Sequence, residues 1–304
     1  MSEADNKHQL AKNTLYLYIR MLVLMFIGLF TSRVVLNALG VTDYGINNVV
    51  GGIVSMFSIF SGSLVAAISR FLTFELGENN LEKLNKVFCT SINVLAILYI
   101  FVFILLETIG IWYLFNVAVI PHDRLNAAFW VYEFSVIGFG LGLLMVPYNS
   151  CLVAHEKMST FAYMGILDAV FKLLIAYLIY VSPFDKLVTF ATLGFVTSVI
   201  MQFIYWYYCK KCFSECHYHL IFESKLLKEI FSFAGWNFIG ASSALLRDTG
   251  GNLVINYFCG PAVNAARGIA ETVNGKITQF AGGFMTALQP QIVKSYAAGN
   301  YNYI

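Results

Sequence analysis

The sequence predicts an all-α integral membrane protein with about eight transmembrane helices. Apolar residues make up 59% of its 304 residues, charged residues only 12%, and the mean hydropathy is +0.70. A typical soluble domain has about 45–50% apolar and about 25% charged residues, so this chain has too few charges to cover a water-facing surface. Eight apolar runs have about the 20 residues that a helix needs to cross a bilayer. None alternates with the period of two of a barrel strand.

The apolar runs also predict how the chain is divided. In order, the spans cover residues 14–39, 45–71, 87–115, 127–153, 160–180, 188–208, 230–259 and 267–288. The last two contain the most polar residues. We expect a six-helix lobe over residues 1–210, a cytoplasmic linker over 211–229, and the first two helices of a second lobe over 230–304.

Loop charges predict the orientation. With a cytoplasmic N-terminus, ten lysines of the loops and tails lie inside, whereas the outside loops contain only Arg124 and Lys186. This asymmetry follows the positive-inside rule. The opening MSEADNKHQLAKN mixes acids with bases and precedes an apolar run too long for a signal peptide. The N-terminus is therefore expected in the cytoplasm.

Twelve charged residues fall within the predicted spans, with a net charge of +2. Each costs about 2.5–3.5 kcal/mol or more at the bilayer centre. Snorkelling of the side chain to the interface accounts for those near span ends, namely Arg33, Arg70 and Arg267. Asp168 and Lys172 lie at mid-span with i,i+4 spacing, and an intrahelical ion pair explains them more simply than a substrate or proton site.

Polar residues also form stripes along three spans. At 100° per residue, the stripes consist of Asn47, Gly51, Ser55, Ser58 and Gly62 in the second span, Asn237, Asp248 and Asn252 in the seventh, and Arg267, Glu271, Asn274 and Thr278 in the eighth. Close helix packing explains the small and hydroxyl residues. Arginine and asparagine arrayed along one face indicate a water-filled cavity instead.

The second and eighth spans are related by a shift of 220 residues, which also aligns two short outside turns that begin at Gly40 and Gly260. Internal repeats are common in membrane transporters. Because the shift contains six spans, the repeats run parallel. The pattern predicts a truncated two-lobe exporter, with one six-helix lobe and the first hairpin of a second.

Three segments resemble bacterial polysaccharide flippases of the O-antigen type. They are LYIRMLVLMFIGLFTSRVVLNALGVTDYGINNVVGG (residues 17–52), FAGWNFIGASSALLRDTGGNLVINYFCGPAVNAARGIA (233–270) and QPQIVKSYAAGNY (289–301). These flippases belong to the multidrug/oligosaccharidyl-lipid/polysaccharide exporter superfamily. Its members usually have twelve to fourteen spans in two lobes, so the family pattern continues beyond Ile304.

The resemblance implies export of an undecaprenyl-diphosphate-linked oligosaccharide across the bacterial inner membrane. The implied partners are this lipid-linked oligosaccharide, the membrane lipids, and the polysaccharide polymerase and glycosyltransferases of the same assembly route. Neither a cofactor nor nucleic acid is expected. A cavity between the lobes would replace water around the anionic head group, and rocking of the lobes would provide alternating access. The candidate substrate-binding residues are Arg20, Asn237, Arg247, Asn252, Arg267, Asn274 and Lys276.

Arg247 is the strongest of these candidates because it lies near the middle of the seventh span. Its guanidinium offers a planar fork of donors that suits phosphate oxygens. A structural charge network with Asp248 or Lys276 is the competing interpretation, and proton coupling is a third. Arg20 is the candidate in the first lobe, although its depth of about 9 Å leaves it within reach of snorkelling.

Three other functions compete with polysaccharide export. A multidrug cation antiporter of the same superfamily would use a carboxylate in the first helix, where this chain has Arg20 and Arg33 and no acid. A scaffold in a polysaccharide assembly complex is another alternative. A membrane enzyme would need a clustered acid, histidine or metal constellation, and the sequence shows neither that nor a phosphate-cradling loop. We therefore expect no catalysis.

A cysteine- and histidine-rich segment offers the nearest approach to a metal site. It consists of Cys209, Cys212, Cys216, His217 and His219. The spacing resembles that of metal ligands, but Cys209 is expected at the lipid edge, and a charged juxtamembrane loop is the simpler interpretation. His122 and His155 are expected to be lone loop histidines with structural roles.

Overall fold

The protein is all-helical over the residues that the structure describes, which confirms the predicted fold class. The computed structural model describes residues 3–55, 57–118, 120–221 and 223–299, with their side chains except at 3–11, 55, 58–61, 241, 244–273, 275–276, 279–280 and 283. The helices are α1 (Glu3–Ser55), α2 (Ser58–Gly77), α3 (Leu81–Leu105), α4 (Ile111–Asn116), α5 (Leu125–Ala154), α6 (Met158–Val181), α7 (Lys186–Cys212) and α8 (Ser224–Ala297). A π-helical turn, Leu106–Gly110, joins α3 to α4, and a 3-10 turn, His122–Arg124, precedes α5.

The helices follow the third to sixth predicted spans closely, whereas the second predicted span is divided between α1 and α2. The fourth, fifth and sixth spans lie within α5, α6 and α7, and the third runs from α3 through the π-helical turn into α4. Five described segments are long and apolar enough to cross a membrane: Lys12–Val54, Leu81–Asn116, His122–Ala154, Met158–Val181 and Lys186–Cys212. The chain is therefore a multi-pass membrane protein.

Helix α1 is broken at Gly40, where the sequence predicts an outside turn. Gly40 has φ 78° and ψ 171°, a conformation that glycine adopts readily and residues with a Cβ atom disfavour. Val35 before the break and Val50 after it belong to one buried cluster. Helix α1 thus contains the first predicted span and the start of the second.

Helix α8 turns back on itself. The ring of Phe233, near its start, lies 6.4 Å from that of Phe71. At its end, Ala297 packs so closely against Gly77 that a Cβ atom there would lie 2.8 Å away. A straight helix would separate Phe233 from Ala297 by roughly 95 Å, but Phe71 and Gly77 are only about 9 Å apart along α2. Helix α8 therefore forms a hairpin with a first and a second arm, as the last two predicted spans require.

Arg124 joins three segments at one end of the helix bundle. Its Nε and Nη2 atoms donate to the two carboxylate oxygens of Asp43, at 2.9 and 2.5 Å. Its Nη1 donates to Asp185 at 2.5 Å. Asp43 follows the Gly40 break, and Asp185 caps the N-terminus of α7 through the backbone N–H groups of residues 187 and 188. This arrangement, the Arg124 clamp, holds together three loops that the topology predicts on the outside.

At the opposite end, the segment between α7 and α8 is attached to α3 by side-chain amides. Asn85 donates to the backbone oxygens of Glu215 at 2.7 Å and His217 at 2.9 Å. Asn93 donates to the backbone oxygen of Ile221 at 2.9 Å. Both asparagines lie on α3, so the connecting segment is fixed along this helix.

The same end contains two ion pairs that connect α5 and α6 to other segments. His155 bonds the buried carboxylate of Glu215 through Nε2 and stacks on Phe213 at 4.2 Å. Burial alone would raise the pKa of Glu215, but the hydrogen bond and charge of His155, together with hydrogen bonds from the backbone and from Ser214, hold that pKa below its usual range. Lys294, on the second arm of α8, donates to Glu156 at 3.0 Å. His155 is therefore not the lone histidine expected from the sequence, because it bonds Glu215 and stacks on Phe213.

The π-helical turn depends on a close contact between a glycine and a buried tyrosine. Tyr132 is fully buried and donates its hydroxyl to the backbone oxygen of Leu106 at 2.7 Å. A Cβ atom on Gly110 would overlap this hydroxyl. The turn therefore needs glycine at position 110.

We expect Gly110→Ala to destabilise the protein by about 1–3 kcal/mol, because overpacking forces buried groups apart. Tyr132→Phe removes the overlapping oxygen and should recover part of this loss in the double variant, although alone it costs about 1 kcal/mol. Thermal unfolding of the purified protein in detergent measures all three. Gly194→Ala, where a Cβ atom meets nothing within 4 Å, is the matched control, and equal loss in both glycine variants would contradict the prediction.

Candidate functional site

A polar cavity of about 300 Å³ lies inside the lobe formed by α1, α5, α6 and α7. Its polar lining comes from Arg20 on α1, Asn149 on α5, Asp168 on α6, and Ser198 and Tyr205 on α7. Four helices thus direct polar side chains into one space within an apolar bundle. We call this space the Arg20 cavity.

Arg20 occupies the cavity in a defined position. Its guanidinium lies over the ring of Phe161, with 4.4 Å between Cζ and the ring centroid. Its Nε atom is buried and has no hydrogen-bond partner. Gly165 faces the guanidinium so closely that any Cβ atom there would overlap Nε. The site therefore contains a buried guanidinium donor that no protein group satisfies.

The acidic residue of the cavity is paired with a lysine on its own helix. Lys172 Nζ lies 2.7 Å from the carboxylate of Asp168, one turn away on α6. This confirms the intrahelical ion pair predicted from the i,i+4 spacing. Asp168 lines the Arg20 cavity, whereas Lys172 lines a neighbouring one.

That neighbouring cavity, of about 510 Å³, lies between the same helices and is lined mostly by apolar side chains. It shares Gly138 and Ser198 with the Arg20 cavity. Asn47 and Gly51, from the stripe predicted along the second span, form part of its wall. The structure thus places two members of the stripe beside a cavity, while the side chains of Ser55 and Ser58 lie outside the described residues.

A third cavity, of about 300 Å³, connects this interior to α8. Asn149 and Phe161 line both it and the Arg20 cavity. Thr286 and Gln289, on the second arm of α8, form its far wall. The Oδ1 atom of Asn149 is buried without a hydrogen-bond partner. The three cavities therefore adjoin one another from the interior of the lobe to the second arm.

The structure places few of the predicted substrate-binding residues at this site. Arg20 lies at its centre. Asn237 is half-buried and donates to the backbone oxygen of Phe233 at 3.0 Å, one turn earlier in α8, and Asn274 is exposed. The side chains of Arg247, Asn252, Arg267 and Lys276 lie outside the described residues.

Sequence reasoning missed several residues that shape the cavity, including Asn149, Phe161 and Gly165. Asn149 carries the one signal that was available, because it is an amide in the apolar run of the fourth span. Phe161 and Gly165 are ordinary residues of a membrane helix. Only their packing against Arg20 gives them a role.

The cysteine-rich segment does not form a metal site among the described residues, where no group of three or more potential ligands converges. The expectation that Cys209 lies at the lipid edge is wrong. Its side chain is fully buried, and Cys216 is buried as well. Both pack into the core that closes around the end of α7. The apolar thiols are here part of that core.

Comparison with solved structures identifies the fold. A multidrug resistance MATE family transporter of the MOP superfamily, in an outward-facing conformation, aligns with a TM-score of 0.80 and 16% identity over 98% of this chain and 66% of that chain. A MATE transporter in complex with MaL6 aligns with a TM-score of 0.81 and 16% identity over 98% of this chain and 67% of that chain. A third neighbour is a MOP superfamily transporter from Pyrococcus furiosus, for which a binding pocket of reverse polarity was described. It aligns with a TM-score of 0.78 and 15% identity over 98% of this chain and 66% of that chain.

The chain therefore has the same fold as these MATE transporters, and it spans about 66% of the length of the first of them. No protein-family model and no curated protein matches the sequence. These structural neighbours are transporters rather than enzymes. The fold agrees with the resemblance to the exporter superfamily.

Proposed function

We propose that this protein exports a lipid-linked oligosaccharide, of the undecaprenyl diphosphate type, across the bacterial inner membrane by alternating access. The observation that carries the proposal is the position of Arg20, whose buried Nε has no hydrogen-bond partner in the interior of the lobe. In the first helix, where cation exporters of this superfamily use a carboxylate, the present chain has this guanidinium. A cationic donor in that place favours an anionic substrate.

The surroundings of Arg20 suit a diphosphate attached to sugars. A guanidinium donates to phosphate oxygens in a fork geometry, and such charge-assisted bonds are about twice as strong as neutral ones. Asn149, Ser198 and Tyr205 provide amide and hydroxyl groups that can bond sugar hydroxyls. The lipid tail stays in the membrane while the polar head crosses about 30 Å of hydrocarbon. The adjoining cavities, whose walls are mostly apolar with a few polar side chains, extend this space over part of the distance.

The second arm of α8 is the moving partner in this proposal. It belongs to the second lobe of the predicted two-lobe exporter and forms one wall of the third cavity. Rocking of one lobe against the other would open that wall to either side. Arg247, Asn252, Arg267 and Lys276 are proposed to face the same route from the second lobe. The N-terminus and the end containing Glu215 are proposed to be cytoplasmic.

Substituting Arg20 tests the proposal in cells that depend on this protein for surface polysaccharide. Arg20→Ala is expected to reduce export about a hundredfold or more, since a lost charge-assisted bond of up to about 3 kcal/mol accounts for that factor. Arg20→Lys keeps the positive charge but lacks the planar fork of donors, so its export should lie between that of Arg20→Ala and that of the wild type. Surface polysaccharide is measured by immunoblot at equal protein level, with Lys12→Ala on the same helix as the control. Full export by Arg20→Ala would contradict the proposal.

Extrusion of organic cations is a second candidate, favoured by Asp168 in the same cavity and by the multidrug transporter among the structural neighbours. The two candidates predict opposite effects at Arg20. Removing its positive charge should increase ethidium efflux from a cation exporter, because like-charge repulsion in the cavity is relieved. Asp168→Asn should abolish that efflux. Neither change is expected if the substrate is an anionic lipid.

A further inference from the structure

An amphipathic cavity of about 610 Å³ lies between α2 and the first arm of α8, away from the Arg20 cavity. Its walls are formed by Phe71 and Phe74 from α2 and by Leu226, Phe233 and Trp236 from α8. Trp236 is 74% exposed. Tryptophan is enriched where a membrane meets water, so the cavity opens at the level of the lipid head groups. We call it the α2–α8 cavity.

Charged residues of both signs form the rim of this cavity. Arg70 and Lys228 provide positive charge, and Glu75 and Glu229 provide negative charge. A smaller cavity of about 260 Å³ shares both glutamates and adds Lys83, Lys86, Lys225 and Glu223. Lys83 and Lys86 are paired with acids beyond the cavity lining, at 3.6 and 2.7 Å. The rim is therefore close to electrically balanced, unlike a site selective for an anion alone.

Glu75 has a carboxylate oxygen without a hydrogen-bond partner. Its Oε2 atom is buried without a hydrogen-bond donor, although the carboxyl group lines both cavities. A buried acceptor of this kind is unfavourable until a donor reaches it. Arg70 lies over the ring of Phe233 with 4.6 Å between Cζ and the ring centroid, so its guanidinium is held at the cavity wall.

We propose that the α2–α8 cavity binds a zwitterionic phospholipid that has a primary ammonium group, such as phosphatidylethanolamine. The ammonium donates to Glu75 Oε2, the phosphate lies between Arg70 and Lys228, and the upper acyl chains pack on the aromatic wall. A quaternary ammonium cannot make the first contact because it has no N–H group. An anionic head group without an amine can offer Glu75 only a neutral hydroxyl, which is a weaker partner for a carboxylate than an ammonium. This site goes beyond the proposed function and does not depend on it.

Fluorescence quenching by brominated lipids tests the site without a transport assay. The purified protein is placed in phosphatidylcholine bilayers with increasing fractions of brominated phosphatidylethanolamine, phosphatidylcholine or phosphatidylglycerol. The signal of Trp236 is isolated by comparison with Trp236→Phe. We expect half-maximal quenching at an about tenfold or more lower fraction of phosphatidylethanolamine than of the other two lipids, the effect of one hydrogen bond to a charged group.

Two variants assign the preference to the proposed contacts. In Glu75→Gln, the lipid fractions that give half-maximal quenching should lie within about twofold of one another for the three lipids. Glu82 is an exposed carboxylate outside the cavity lining, so Glu82→Gln should leave the preference for phosphatidylethanolamine intact. Lys228 lies on the exposed rim, and Lys228→Gln should weaken the binding of all three lipids equally because all contain phosphate.

Four results would overturn the assignment. The first is equal quenching by the three lipids in the wild type, and the second is a preference that survives Glu75→Gln. The third is a preference for phosphatidylglycerol, which would mark an anionic-lipid site. Protection by micromolar glycerophosphoethanolamine would instead identify a site for a soluble head group and would also exclude a lipid.

Discussion

Replacing Gly165 by alanine is expected to reduce polysaccharide export about a hundredfold, although the new side chain is only a methyl group. The methyl carbon would overlap Arg20 Nε, so the guanidinium must leave its place over Phe161. Displacement of a substrate-positioning group by about 1 Å can cost a factor of a hundred. The measurement is surface polysaccharide at equal protein level, as for the Arg20 variants.

A second glycine of the same cavity provides the control. Gly142 also lines the Arg20 cavity, but a Cβ atom there meets nothing within 4 Å. Gly142→Ala should therefore export normally. Arg20→Lys combined with Gly165→Ala should export better than Gly165→Ala alone, because lysine has no planar Nε group to clash. Normal export by Gly165→Ala would show that the position of Arg20 is not critical.

Loss of the Arg124 clamp should have the largest effect on stability. Arg124→Ala leaves Asp43 and Asp185 without their shared partner. Breaking a buried ion pair costs about 3–5 kcal/mol. We expect about 2–4 kcal/mol here, because the Asp185 side chain is 36% exposed. Unfolding in detergent measures the loss. Lys186→Ala removes a neighbouring charge that is exposed and should cost less than about 0.5 kcal/mol.

The clamp also predicts how stability depends on pH. Burial alone would raise the pKa of Asp185, but hydrogen bonds from Arg124 and from the start of α7 outweigh it and lower that pKa. A lowered pKa in the folded state adds stability above the unfolded value of about 3.9, and this stability is lost as the pH falls through the folded pKa. Wild type should therefore lose stability below about pH 4. If the stability of Arg124→Ala fell just as steeply below pH 4, the Arg124–Asp185 contact would not be the origin of this pH dependence.

The helices could be predicted because each is specified by its own residues. The runs that became α5, α6 and α7 are apolar over their whole length, so membrane thickness alone fixes their extent. The break at Gly40 and the pair of Asp168 with Lys172 are equally local, because they depend on one residue or on one helical turn. Such features require no knowledge of what surrounds the helix.

The candidate site could be predicted only in part because its properties come from packing between helices. Arg20 was found as a charge in an apolar run, but its position over Phe161 and against Gly165 depends on how α1 meets α6. Asn149 has its role because two cavities adjoin it. Cys209 was misplaced for the same reason, since an apolar helix end does not reveal whether lipid or the connecting segment covers it.

The attachment of the segment between α7 and α8 has a mechanical consequence. Asn85 and Asn93 fasten it to α3, and His155 binds it through Glu215, so it cannot stretch like a flexible tether. A displacement of the first arm of α8 would pull on this segment and would strain all of these hydrogen bonds at the same time. They would hold or release as a set, since such packed networks have discrete arrangements. Movement at this end is therefore expected to be a cooperative transition between two discrete arrangements, without stable intermediate positions.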